Sequence, residues 1–199
     1  MADPRGYLTV EQVEAILDAA KNPRDRLLLQ LMYRCGRRVS EVLLLKEEDI
    51  LWSDRKIIFN IIKRKRPVKE LKPVDEETFQ LLEEYVRIKG SLAGVRKRPN
   101  GQVLFPVSRQ YAFKLIRKLG KEVGVEKVGR KGLHPHHLRH SFAVHQVREN
   151  VKTMDDLRQM QQYMGHANVN TTAHYLQYSS DDLRKITDMW DKKAKRVQK

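Results

Sequence analysis

The segment Leu133–His145 reads "LHPHHLRHSFAVH" and gathers five of the chain's seven histidines into thirteen residues. A helix is expected to start just after Pro135, since proline suits a first helical turn, where its missing N–H is not needed. Leu138, Phe142 and Ala143 mark the buried side of that helix. The imidazoles could bind a metal, act as acid and base on a bound anion, or cap and pack the helix. His136 and His140 stand at i, i+4, the spacing that puts two ligands on one helix face. A catalytic zinc site also wants a third ligand and a general base, yet no "HExxH" glutamate follows, and no carboxylate lies between residues 126 and 148. His136 and Arg139, at i, i+3, converge on one spot instead, and the guanidinium fork matches two phosphate oxygens. The stretch therefore points to an anion site, with no metal.

Working outward, further cations are expected near other helix starts. Arg38 lies in "CGRRVSEVLLL", where a polar pair follows an apolar helix and a glycine stop. His166 follows the glycine of "MGHANVNTTAHY", and Tyr175 stands nine residues beyond it. Taken singly, Arg38 reads as a solvated helix end and Tyr175 as ordinary packing; their combination with the histidine stretch carries the signal.

The remaining chain reads as helices around a small sheet. Thr9 and Gln12 form a capping box ahead of Val13, Ile16 and Leu17. Asn22-Pro23 opens a helix through "LLLQLMY" that stops near Gly36. A short helix covers "VSEVLLL". "KIIFNII" (56–62) is β-branched and aromatic, as a strand should be, and leads through "KRKRPV" into "KELKPV" as a hairpin. That reading places Arg66-Pro67 near the turn, with Lys63 and Lys65 on one face of the ascending arm. Asp75, Ser108 and Thr153 cap later helices, the second with Phe113, Ile116 and Leu119 inward. Asn170 and Ser180 cap the last two. The fold class is mainly α with a small antiparallel β-sheet, in one domain over 1–199: a core of about 7–178 and a C-terminal helix and basic tail, 179–199.

Composition bounds the partners. Lys and Arg number 40 against 25 Asp and Glu, a formal net charge of +15, and an excess of that size favours a polyanion. Basic clusters at Lys63, Arg64 and Arg66, at Arg96, Lys97 and Arg98, and at Arg130 and Lys131 suit contacts to a phosphate backbone. The single cysteine, Cys35, sits in an apolar run and excludes an internal disulfide or a cysteine–zinc cluster. No signal-like apolar core or membrane-length run is present, so a cytoplasmic protein, or a nuclear one if its source has a nucleus, with no membrane partner is expected.

The order arginine, basic hairpin, His-x-x-Arg, Gly-His, tyrosine resembles the tyrosine recombinase (phage integrase) family over nearly the whole chain. "GRRVSEVLLLKEEDI" is similar to its first arginine box, "HPHHLRHSFAVH" to its second, and "YMGHANVNTTAHY" to its third, which holds the nucleophile. The resemblance puts Arg38, His136, Arg139, His166 and Tyr175 on catalytic positions. The family's hairpin lysine usually sits in a Gly-Lys-Gly turn, absent here; counting back from Pro73 selects Lys65, and counting forward from the strand allows Lys63. Cys35 and Arg37 depart from the small-polar and apolar residues usual in the first box. The family's separate N-terminal DNA-clamping domain is expected to be absent from this chain.

The resemblance implies cleavage and rejoining of double-stranded DNA through a 3′-phosphotyrosyl link, with no cofactor. Tyr175 would attack, Arg38 and Arg139 would clamp the phosphate, and His136 would take the tyrosine proton. Lys65 would protonate the leaving oxygen, His166 would hydrogen-bond the phosphate, and Glu41 would orient Arg38. It also implies a homo-oligomer on DNA, a tetramer in synapsis and a monomer or dimer when free. Two other readings stand beside it: a type IB topoisomerase-like enzyme, and a helical DNA-binding module without chemistry.

Overall fold

The computed structural model describes residues 6–63, 66–91 and 103–164. Its helices are α1 (Val10–Ala19), α2 (Pro23–Arg34), α3 (Val39–Leu43), α4 (Glu76–Ser91), α5 (Arg109–Glu122), α6 (His136–Asn150) and α7 (Met154–Met164). The strands are β1 (Ile50–Leu51), β2 (Lys56–Lys63), β3 (Arg66–Pro73), β4 (Lys127–Val128) and β5 (Lys131–Gly132). Strands β1, β2 and β3 form one antiparallel sheet in that order, and β4 and β5 form a separate two-stranded ribbon. The fold is mainly helical with a small antiparallel sheet, as the sequence pattern indicates. No helix among the described residues is long and apolar enough to cross a membrane.

The chain divides within α6, between Phe142 and Ala143, into two compact units. In the first, α2 is the central element: Leu27, Leu28, Leu29, Leu31 and Met32 are all buried, and α1, α3 and α4 pack around it. The helix caps follow the sequence. Thr9 accepts from the Gln12 N–H while Gln12 returns a bond to the Thr9 N–H; Ser108 accepts from Tyr111 and Asp75 from Thr78. On α5 the core face is Ala112, Leu115, Ile116 and Leu119. Phe113, expected inward, is only half-buried, and the Arg109 guanidinium lies over its ring, 5.5 Å from the centroid. In the second unit, Thr153 and Asp156 cap α7 reciprocally, and Leu157, Met160 and Met164 are buried.

In the hairpin, Lys63 pairs with Arg66, so Arg66 is the first residue of β3, and residues 64–65 lie outside the described residues. Pro67 lies within β3, opposite Ile62. Because β3 is an edge strand, a residue without an N–H is tolerated there. The described ascending arm ends at Lys63, so strand alternation no longer assigns Lys65 to the face of Lys63. On the rest of the hairpin, Ile57, Phe59 and Ile61 are buried, and their partners on β3 are Lys72, Glu70 and Val68.

Candidate active site

The end of α2 builds the first half of the site. Gly36 adopts φ +60°, a left-handed conformation that favours glycine. Its N–H donates to the Tyr33 carbonyl and the Arg37 N–H to the Met32 carbonyl, the paired bonds of a Schellman stop. This turn reverses the chain, aims the Gly36 carbonyl inward, and delivers Arg38 to the N-cap of α3.

Glu41, three residues on and 3% exposed, gathers the cations. Its Oε2 accepts from the Arg38 backbone N–H at 3.0 Å, and its Oε1 accepts from Arg38 Nη1 at 2.7 Å. Arg139 Nη1 lies 3.7 Å from Glu41 Oε2 and donates to the Gly36 carbonyl at 2.6 Å. One buried carboxylate thus serves two arginines that lie far apart in the sequence. Two cations and one anion leave this trio with one positive charge in excess. Arg139 is 2% exposed, whereas the Arg38 side chain is 45% exposed. The pair therefore offers an anion one fixed inner guanidinium and one outer guanidinium that faces solvent.

Helix α6 supplies the second half. Ser141 Oγ donates to the His137 carbonyl at 2.8 Å and accepts from the Leu8 N–H at 2.8 Å, tying the N-terminal segment to this helix. His136, one turn before Arg139, keeps a solvent-exposed edge. Its pKa is lowered, first by desolvation and then by the charges of Arg139, His134 and Arg38. The fields of both arginines thus converge on His136 and favour the neutral imidazole, the form that accepts a proton.

The other histidines of the stretch divide by role. His134 and His137 stack with ring centroids 3.7 Å apart, and the His134 N–H donates to His137 Nδ1 at 3.2 Å. An accepting Nδ1 is unprotonated, and the His137 pKa is pushed down to about 3 by burial, then by the neighbouring imidazoles and Lys131. His145 is buried and His140 half-buried. Packing thus accounts for the His134–His137 pair, whereas His136 lies in the field of both arginines.

A pH dependence follows. An unfolded histidine titrates near 6.5, whereas burial pushes the folded His137 down to about 3. Its contribution to stability is complete above about pH 6.5 and is lost progressively as pH falls from there toward 3. Urea midpoints at pH 7 and pH 5 should show the parent weakening, and His137→Asn, whose amide oxygen replaces the Nδ1 acceptor, should weaken less. An equal drop in both proteins would contradict this.

The remaining candidates separate clearly. Arg130 and Lys131 are exposed at the β4–β5 turn, where Gly129 takes φ +59°. The Lys131 charge reaches His134 and His137. Lys63 and Arg66 stand at the facing ends of the hairpin strands. Arg64, Lys65, Arg96, Lys97, Arg98, His166 and Tyr175 lie outside the described residues. Sequence reasoning missed Arg117, whose Nε donates to the Leu133 carbonyl at 3.3 Å just before the histidine stretch. It also gave no role to the fully buried Arg37, which appeared only as a departure in the first box.

Comparison with known proteins gives a consistent picture. The model of the phage integrase family matches residues 6–181. Tyrosine recombinase XerA of Pyrococcus horikoshii is 32% identical over 185 residues, taking in 91% of this chain and 60% of the relative. Tyrosine recombinase XerD of Staphylococcus aureus is 30% identical over 201 residues, 94% of this chain and 63% of the relative. The chain therefore spans about 60% of the length of these relatives. Among solved structures, the crystal structure of XerA recombinase is similar at a TM-score of 0.72 and 26% identity, over 92% of this chain and 62% of that one. XerH site-specific recombinase bound to its palindromic difH substrate shares the fold at a TM-score of 0.71 and 23% identity, over 95% of this chain and 54% of that one.

Proposed function

The chain belongs to the phage integrase family, and from that premise we propose that it is the catalytic part of a site-specific DNA recombinase. The observation that carries the reading is the trio of Arg38, Arg139 and Glu41 with neutral His136 beside it. That arrangement suits a phosphodiester whose non-bridging oxygens gain charge in the transition state. Arg38 and Arg139 stabilise that charge, and Glu41 fixes both without neutralising both.

The chemistry balances within the chain's own residues and the DNA. The Tyr175 oxygen forms a bond to phosphorus as the bond from phosphorus to the 5′ oxygen breaks. The tyrosine proton passes to His136, and the hairpin lysine, Lys65 or Lys63, protonates the departing 5′ oxygen. His166 donates to the phosphate. A second strand's 5′-hydroxyl reverses the sequence and releases the tyrosine, so the phosphodiester's bond energy is kept in the covalent link and no nucleotide cofactor is consumed. The DNA partner is double-stranded, and strand exchange requires more than one copy of the protein on it. Arg130 and Lys131, with the clusters at 63–66 and 96–98, add charge for backbone contacts that position the duplex.

The reading is tested with a paired-site substrate selected from genomic DNA by binding, incubated in EDTA. Exchanged strands and a covalent protein–DNA species are the expected result. Relaxation of site-free supercoiled plasmid without exchange would assign topoisomerase-like chemistry instead, and binding without covalent attachment would remove the chemistry altogether.

A further inference from the structure

Arg37 is fully buried beside the exposed Arg38, and its side chain makes contacts with the β2–β3 hairpin. Its Nε donates to the Cys35 carbonyl at 3.1 Å, and its Nη1 donates to Glu70 Oε2 at 3.2 Å. The guanidinium lies over the Phe59 ring, 5.0 Å from the centroid. Phe59 and Glu70 are paired across the hairpin, so β2 and β3 each contribute one contact to the same side chain. Lys72, also buried, stands 3.7 Å from Glu70 Oε2. One carboxylate therefore separates two buried cations beneath the hairpin.

The three consecutive residues of the loop after α2 thus reach three different places. The Gly36 carbonyl takes Arg139, Arg37 takes the hairpin, and Arg38 takes Glu41. A buried ion pair is a weak source of stability compared with apolar packing of equal volume, but it demands one geometry. From Glu70 to the end of β3 at Arg66 is four residues, about 13 Å of strand, so a small rotation at Glu70 is magnified at the tip.

We propose that Arg37 and Glu70 are positioning residues that latch the β2–β3 hairpin to the arginine loop, holding the hairpin's lysines in register with Arg38 and Arg139. The inference rests on the reading of a hairpin lysine as general acid. Its effect is on leaving-group protonation: misplacement of the hairpin slows departure of the 5′ oxygen and leaves the arginine clamp intact.

The test compares single-turnover cleavage of normal DNA with that of DNA carrying a 5′-bridging sulfur, whose thiolate leaves without a proton. Glu70→Gln keeps the side-chain shape and removes the charge between Arg37 and Lys72. It should slow cleavage of normal DNA by about 10²-fold, the scale of a 1 Å misplacement, and return to near the parent rate on the sulfur substrate. Equal loss on both substrates would overturn the inference. Lys65→Ala and Lys63→Ala are run alongside. If neither is rescued by sulfur, the general-acid reading fails and takes the latch with it; if one is rescued and Glu70→Gln is not, only the latch fails. Should Glu70→Gln not fold, Glu70→Asp, which keeps the charge and withdraws it by one methylene, is read in the same way. A second measurement needs no DNA. The sequence Lys63-Arg64-Lys65 offers trypsin its sites at the hairpin, and initial cutting there should be faster in the folded variant; an unchanged rate would overturn the latch.

Discussion

Arg139→Ala should lower single-turnover strand cleavage by about 10²–10³-fold, the usual cost of removing one preorganised donor from a developing oxyanion. It should also destabilise the domain, by about 1–3 kcal/mol, because the Gly36 carbonyl loses its 2.6 Å donor inside the protein. Arg38→Ala supplies the contrast. Its side chain is 45% exposed, and the buried Glu41 would keep the backbone N–H of residue 38 and Arg139 as partners, so its stability cost should stay at about 1 kcal/mol while cleavage falls as far. Urea unfolding and cleavage of a nicked substrate separate the two effects. Near-parent cleavage by a folded Arg139→Ala protein would make Arg139 a packing residue and dissolve the clamp.

Tyr175→Phe should remove cleavage altogether while leaving DNA affinity close to that of the parent. The substitution deletes one oxygen, and in the proposed reaction that oxygen is the only bond-forming atom the protein contributes. The clamp and the basic surface, to which the proposal assigns binding, are untouched. Electrophoretic mobility shift and cleavage assays on the same DNA should therefore diverge completely for this variant. Parallel loss of binding and cleavage would make Tyr175 part of the DNA surface or the fold.

How much of this was legible in the sequence depends on the range of each interaction. The caps at Thr9, Asp75 and Ser108 are local contacts within three residues, and each forms as the sequence indicates. The glycine stop at Gly36 is equally local, and it places Arg38. His136 and Arg139 meet the same field because helical periodicity carries both to one face. Arg66-Pro67 carries turn chemistry, yet both residues belong to β3, whose edge position lets proline stay in a strand. Strands β1, β4 and β5 are two residues long, too short to leave a periodic trace. The Arg37–Glu70 contact joins residues 33 apart and exists only through the β2–β3 register. No local pattern encodes it.

In the proposed reaction this chain breaks DNA by forming a covalent bond to one tyrosine. A nicked substrate that sheds the short 5′-hydroxyl strand after cleavage traps that state, because nothing remains to reverse it. Denaturation, protease digestion and mass spectrometry of the trapped species then identify the modified peptide. The account requires a nucleotide-bearing peptide with the phosphate on Tyr175. A covalent adduct on Tyr178 or Tyr163, or none at all from protein that binds the DNA, would contradict it.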